Sequence, residues 1–286
     1  MPPVFGVLFD GFAYGMLLFL MSVGLSVTLG MMNFVNLAHC SFDMLGGYVT
    51  VTLMNTTGWP FLATLPAAFL VAAAASVVLE RIFFRHFYRA SDLEQCLLTI
   101  GIVFVSVAGA AYIYGTDQQP VRLPPYLLGS IHFAGLDFAI YRLFLIVTAM
   151  LITVVLAVTL ETTRFGAKVR AAVNNQRMAR GLGINVDGLF AVTFALGSGL
   201  AGLGGALAIA MIGLDPSFAL TYLIYVLIVV SVGGLGSIAG SFAAAMLLGV
   251  SDIAGKYYVP AVGAFLIYLV MIVLLMWRPT GLFGRR

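Results

Sequence analysis

Charge is scarce in this chain: only 9% of its 286 residues are Asp, Glu, Lys or Arg, while 62% are hydrophobic. Soluble domains are about a quarter charged, so this composition excludes an ordinary globular enzyme or receptor domain and points to a polytopic membrane protein. Cysteine is scarce too. Cys40 and Cys96 lie far apart and neither has a spaced partner, which excludes a disulfide framework and a zinc site and leaves both as free packing residues. The chain has no HExxH, no nucleophile elbow and no closely spaced carboxylate pair, so an enzymatic reading has nothing to stand on. The net charge of +3 is small and sits at the ends of apolar runs, a pattern that speaks to topology and against a nucleic-acid partner. The opening MPPVFGVLFD holds no cation and its apolar run outlasts a signal-peptide core, so this run is expected to remain as a span.

Apolar runs are what the chain has in quantity. A helix needs about 20 apolar residues to cross the hydrocarbon core. Runs of that order fall at 4–30, 61–80, 96–115, 140–160, 187–212 and 259–277, with shorter or glycine-broken ones at 42–54, 218–232 and 241–253. Cations gather in three zones: Arg81, Arg85 and Arg89; the segment 164–180; and Arg278, Arg285 and Arg286. The positive-inside rule makes all three cytoplasmic. An even number of runs separates successive zones, and the odd number before Arg81 places the N-terminus outside and the C-terminus in the cytoplasm. The expected fold is an all-α transmembrane bundle of about eight or nine spans, some short or glycine-broken, in a single permease-sized domain over 1–286. The loop 116–139, with Pro120, Pro124 and Pro125, is then external. Trp59, Tyr257 and Tyr258 stand at run edges, where aromatic belts lie. The stretch GVSDIAGK, ending Gly255-Lys256, fails as a phosphate loop: Tyr257 stands where Ser or Thr is required, and no strand precedes it.

Two glycine-rich stretches interrupt the pattern. ALGSGLAGLGGALAIA (195–210) repeats small residues every four positions, which fits close helix packing or, alternatively, a pore-lining or subunit-facing helix. SVGGLGSIAGS (231–241) reads either as a tight turn or as a break between half-helices, with Gly233, Gly234, Gly236 and Gly240 as its flexing points. A weak internal similarity links HCSFDMLGGYV (39–49) with AGSFAAAMLLGV (239–250).

In MMNFVNLAHCSFD (31–43), Asn33, Asn36, His39 and Asp43 are spaced three, three and four apart, one stripe on a helix. The stripe either borders a polar permeation path or belongs to a short loop meeting water. With no second histidine nearby, metal binding at His39 is set aside. Asp10, Asp215 and Asp252 fall near span ends, where solvation accounts for them, and Asp187 is placed to cap the following helix.

The segment RFGAKVRAAVNNQRMARGLGIN (164–185) carries five cations, Arg164, Lys168, Arg170, Arg177 and Arg180, and no acid. Residues 167–180 suit a short amphipathic surface helix, its apolar contacts from Ala167, Val169, Ala171, Val173 and Met178, and Gly181 and Gly183 as its stop. The alternative is an ordinary basic juxtamembrane loop.

Three stretches bear on that choice. YGMLLFLMSVGLSVTLGMMNFVNLAHCSFDMLGGYV (14–49), RAAVNNQRMARGLGINVDGLFAVTFALGSGLAGLGGAL (170–207), and VGGLGSIAGSFAAAMLLG (232–249) with the tail RPTGLFG (278–284) together resemble the permease subunits of bacterial branched-chain amino acid ABC transporters, the LivH-type family. The resemblance implies an inner-membrane subunit of an ATP-driven importer that is not itself an enzyme. It implies a second, LivM-like permease, two ATP-binding subunits that hold ATP and Mg so that this chain needs no cofactor, and a periplasmic substrate-binding protein. It makes the loop 161–186 the cytoplasmic coupling loop. The matching positions are Arg170, Ala171, Asn174, Arg177, Ala179, Gly181, Gly183, Ile184 and Asn185, which dock on the ATPase. Cys40 stands where the family usually has Gly, beside the expected path. The substrate is left open among branched-chain and other amino acids, amides, urea and aromatic acids. The competing reading is an ion-coupled secondary transporter or channel acting without an ATPase, which calls for intramembrane charge pairs that the sequence does not display.

Overall fold

The computed structural model describes residues 4–32, 34–88, 90–121, 123–133 and 136–284. Long apolar runs have to be helical here, because a segment in hydrocarbon must satisfy its own backbone hydrogen bonds. The chain folds as α1 (Val4–Met32), α2 (His39–Thr57), α3 (Phe61–Leu79), a π-helical turn (Glu80–Phe84) continued by α4 (Arg85–Phe87), and α5 (Asp92–Tyr114). It goes on through α6 (Ile140–Thr162), α7 (Arg164–Asn174), α8 (Gln176–Gly181), α9 (Val186–Ile212), α10 (Phe218–Gly233), α11 (Ile238–Tyr258) and α12 (Gly263–Trp277). Six of these stretches are long and apolar enough to cross a membrane, among them Phe61–Phe87, and α2, α10 and α12 are shorter or less apolar companions. In the loop 116–139 lies an antiparallel hairpin of β1 (Ser130–Phe133) and β2 (Leu136–Ala139).

α1 and α9 form the centre. Their membrane windows are 61% buried, against 17% for α5 and 11% for α6, which make the outer shell. Leu97 and Val105 on α5 and Val147 and Val154 on α6 point outward, as lipid-facing side chains should. Apolar burial alone does not join helices in lipid, so close backbone approach through small residues has to. A Cβ on Gly24 of α1 would strike the Gly197 carbonyl of α9, and one on Gly46 of α2 would strike Gly202. Gly11 and Gly15 likewise seat α1 on Val250 and Ala245 of α11. The small-residue helix at 195–210 is thus an internal packing surface: Gly197, Ser198, Ala201, Gly202, Gly205 and Ala206 are all buried.

The structure corrects several expectations. The run 42–54 is not short, because its helix starts at His39 and extends for 19 residues. The run 241–253 lies within a 21-residue helix, opened by Ser237, whose hydroxyl accepts from the Gly240 amide at 3.0 Å. The stretch 231–241 is a tight turn between α10 and α11. Asp252 is not solvated: it is fully buried inside α11, and Gly255 and Lys256 are helical beside it. The two similar stretches open α2 and α11, which pack on α9 and α1 respectively. Arg89, Arg285 and Arg286 lie outside the described residues, while the rest of the three cationic zones gathers at one end of the bundle, hereafter the basic end.

Candidate functional site

At the basic end the polypeptide leaves α6 at Thr163, whose hydroxyl accepts from the Gly166 amide at 3.2 Å and starts α7. Arg170 folds back to donate to the carbonyls of Leu160 and Glu161, tying α7 to the end of α6. The expected single helix is two. Asn175 is extended at φ −158°, which breaks the run, and its side chain accepts from Met178 N at 2.9 Å to cap α8. Gly181 is still helical, so the stop belongs to Gly183, whose φ of +81° lies in the left-handed region that favours glycine. Asn185 then caps α9 by accepting from Gly188 N at 3.0 Å, a role the sequence reading gave to Asp187, and Asp187 pairs instead with Arg180 at 2.7 Å.

The matched positions divide by exposure. Arg170, Asn174, Arg177, Gly181, Gly183 and Asn185 are exposed, Ala171 and Ile184 are half-buried, and Ala179 is buried. Val169, as expected, is buried and holds the element against the bundle together with Ala172 and Ala179, whereas the expected Ala167, Val173 and Met178 are exposed and Ala171 is half-buried. Met178 and Leu182 instead stand 67% and 80% exposed on either side of Gly181. Two apolar side chains on a polar surface element form a contact patch. Leu182 was missed in the sequence because its surroundings looked like a simple helix stop.

A groove of about 780 Å³ runs beside α8. Arg177, Arg180, Asn185 and Asp187 line one wall, and Glu80, Arg81, Arg85 and Tyr88 line the other. The Tyr88 hydroxyl donates to Glu80 Oε1 at 2.7 Å, and burial together with that bond pushes the phenol well above its ordinary range, so it keeps its proton. In the sequence Arg81 and Arg85 mark topology, and their clustering is also the signal for this second wall. On the far side of α7 a more apolar recess of about 670 Å³ is lined by Val27, Thr153, Val173, Leu235, Phe242 and Phe283.

Of the polar stripe, Asn33 lies outside the described residues. Asn36 lies in the non-helical connection before α2, so the expected helical stripe holds only from His39 to Asp43, and all three are buried, which excludes the water-exposed loop. His39 Nε2 donates to the Met21 carbonyl at 3.0 Å, and Asn36 Oδ1 accepts from Ala38 N at 3.1 Å. Among the described residues, His39 Nδ1 and Asn36 Nδ2 have no partner, and the Asp43 carboxylate has no N–H or O–H donor, with only the weakly donating Cys40 thiol one turn back beside it. Thr50, on the same face of α2, and Ser198 on α9 also have hydroxyls unpartnered among the described residues, extending the polar seam beyond what the sequence reading saw, while Ser41 and Tyr48 carry unpartnered hydroxyls on the opposite face of α2. Thr50 follows Asp43 by seven residues, the spacing of one helix face, and that signal was in the sequence.

The four glycines expected to flex are closely packed. A Cβ on Gly233 or Gly240 would collide with the other strand of the turn, one on Gly236 with Gly30, and one on Gly234 with Gly284. They join the ends of α1, α10 and the C-terminal tail backbone to backbone.

A family model described as "Branched-chain amino acid transport system / permease component" matches residues 7–275. The chain belongs to this family. It is 26% identical to the permease protein BraD of Pseudomonas aeruginosa, over 97% of this chain and 95% of that protein. It is 26% identical to LivH of Escherichia coli, over 97% and 94%, and 27% identical to Escherichia coli LivM, over 93% of this chain and 68% of LivM. These relatives are named high-affinity branched-chain amino acid transport system permease proteins. No solved structure matches. The chain is therefore a transmembrane permease of the ABC-importer type, and its relatives are transport permeases rather than enzymes. The family assignment sets aside the secondary-transporter reading. The charge pairs whose lack told against a carrier are nevertheless present: Asp252 with Lys256 inside α11, and Asp10 of α1 with Arg142 of α6.

Proposed function

We propose that this chain is one of two permease subunits of an ATP-driven importer of branched-chain amino acids. A LivM-like permease is its companion, two ATP-binding subunits holding ATP and Mg dock on the basic end, and a periplasmic binding protein delivers substrate at the other. The basic end faces the cytoplasm of a bacterial inner membrane, with the N-terminus outside and the C-terminus inside. The observation that carries the docking assignment is the patch of Met178 and Leu182, one helical turn apart and exposed beyond the spanning helices. The loop 161–186 then transmits ATPase closure as a rigid-body movement of α7 and α8. Asn36, His39 and Asp43 line the path, with Asn33 of the same sequence stretch assigned to it as well, because polar groups left unpartnered at membrane depth usually face a cavity that another state opens. Gly233, Gly234, Gly236 and Gly240 hold the inner ends of α1, α10 and α11 as one packed unit and do not serve as loose hinges.

The reading is tested by reconstituting the chain with its companion permease, ATPase and binding protein in vesicles and measuring uptake of radiolabelled leucine. Uptake that needs both ATP and the binding protein supports it. Uptake by this chain alone, driven by an ion gradient, contradicts it.

A further inference from the structure

Asp252 has no role in the account so far, yet it is a fully buried acid within a spanning helix, one and a half turns before α11 ends at Tyr258. Its Oδ2 accepts from Lys256 Nζ at 2.6 Å, one helical turn onward, and its Oδ1 has no partner among the described residues. Lys256 is half-exposed, and its Nζ lies 5.8 Å from the ring centre of Tyr14 on α1. The helices flanking α11 add a run of rings: Tyr222 and Tyr225 of α10 at 5.8 Å, then Tyr268 of α12 at 6.3 Å. α11 leaves the turn at the basic end, so this cluster lies in the opposite half of the bundle.

Ionisable side chains at membrane depth are expensive and mark substrate or ion pathways. A buried ion pair is weak as a structural device, since desolvation offsets most of the attraction, and apolar residues of similar size hold helices as well. What this pair leaves available is specific. One carboxylate oxygen still wants a donor, and the exposed ammonium of Lys256 has hydrogens free for an anion. An α-amino acid carries a matching ammonium and carboxylate on one carbon, and the face of Tyr14 that sits beneath Lys256 also accepts a cation.

We propose that Asp252 and Lys256 recognise the ammonium and the carboxylate of an amino-acid zwitterion in the outer half of the bundle, with Tyr14 completing the site. This rests on the amino-acid reading above and gives it a point of selectivity. On binding, the internal ion pair is exchanged for two pairs with the substrate, and no covalent bond changes. A solute lacking the ammonium leaves the buried Asp252 carboxylate unmatched if it draws Lys256 away, and a solute with no charge offers nothing in exchange for the internal pair, so both are rejected.

The test uses the whole importer in vesicles, with radiolabelled leucine as probe and uptake expressed per complex assembled with its ATPase. Isocaproate, which lacks the ammonium, serves as competitor. Asp252→Asn and Lys256→Met are each expected to lower leucine uptake by about tenfold or more, the scale of losing one partner of a charge pair whose acid is buried. Isocaproate is expected not to compete in the wild type. The double variant Asp252→Leu/Lys256→Leu leaves no buried charge unmatched, so it is expected to assemble fully and still be deficient. Native leucine uptake by the double variant, or by Asp252→Asn, overturns the proposal and makes the pair structural. A wild-type importer that takes up no amino acid overturns the amino-acid reading itself, a failure visible before any variant is made.

Discussion

Phe190, in the second turn of α9, meets Tyr88 edge to face, with ring centroids 6.4 Å apart and planes at 89°. Tyr88 in turn meets Phe34 at 5.7 Å, and Phe34 directly precedes the segment that carries Asn36 and His39. Phe84 closes the cluster, 5.5 Å from Phe34 and 5.3 Å from Phe194. The groove beside α8 and the polar seam of α2 are therefore joined by packed aromatic rings.

If those rings pass movement from α8 to α2, removing one should uncouple the two. Tyr88→Phe keeps the ring and loses the hydrogen bond to the buried Glu80 carboxylate, for an expected loss of about 2 kcal/mol in unfolding stability. Tyr88→Ala is expected to lower leucine uptake per assembled complex by about fivefold, within the range of mutations that alter coupling. Uptake by Tyr88→Ala equal to that of Tyr88→Phe would show that the ring transmits nothing.

The glycine contacts at the centre predict a sharp contrast in stability. Gly46→Val would drive a side chain into the Gly202 backbone and is expected to cost about 3 kcal/mol or more. Gly101→Val on the outer α5 meets open space and should cost under about 0.5 kcal/mol. Unfolding in detergent measures both. Equal tolerance at the two sites would mean that α2 and α9 are not in backbone contact.

The polar seam should matter for transport more than for folding. Alanine at Asn33, Asn36, His39 and Asp43 together removes the unpartnered atoms of the last three along with the His39 bond to Met21 and the Asn36 bond to Ala38, terms of opposite sign, so stability is expected to change little while leucine uptake falls by about tenfold or more. Unchanged uptake would remove these residues from the path.

Gly181 and Gly183 should behave oppositely as isolated substitutions. Gly181→Ala adds a methyl to open space within a helix and is expected to stabilise by up to about 1 kcal/mol. Gly183→Ala forces a side chain into the left-handed region and should destabilise by about 1 kcal/mol. Thermal unfolding of the purified chain separates the two.

The spans were readable in the sequence because an apolar run in hydrocarbon has few options but a helix, and the cation zones marked one end for a similarly direct reason. What escaped depended on the third dimension. Asn175 sits in a sequence that continues a helix well, and only its extended backbone and its cap on Met178 reveal the break between α7 and α8. Asp252 looks solvated in the sequence because its apolar run ends at 253, whereas the helix continues to Tyr258 and α1 and α10 pack against it. The groove's second wall is contributed by residues about a hundred positions away from α8, a separation that no local pattern bridges.

The central claim is that α8 and its neighbours are the handle on which an ATPase pulls. The most direct test is affinity purification of this chain from its native membranes, wild type against Gly181→Glu and Leu182→Glu. Gly181 faces open space, so a longer side chain there leaves this chain's own fold intact and obstructs only a partner. The account predicts that an ATP-hydrolysing subunit accompanies the wild type and is lost from both variants while the companion permease is retained. An ATPase that stays bound to both variants, or a wild-type chain that purifies without one and still moves leucine in vesicles lacking ATP, would contradict it.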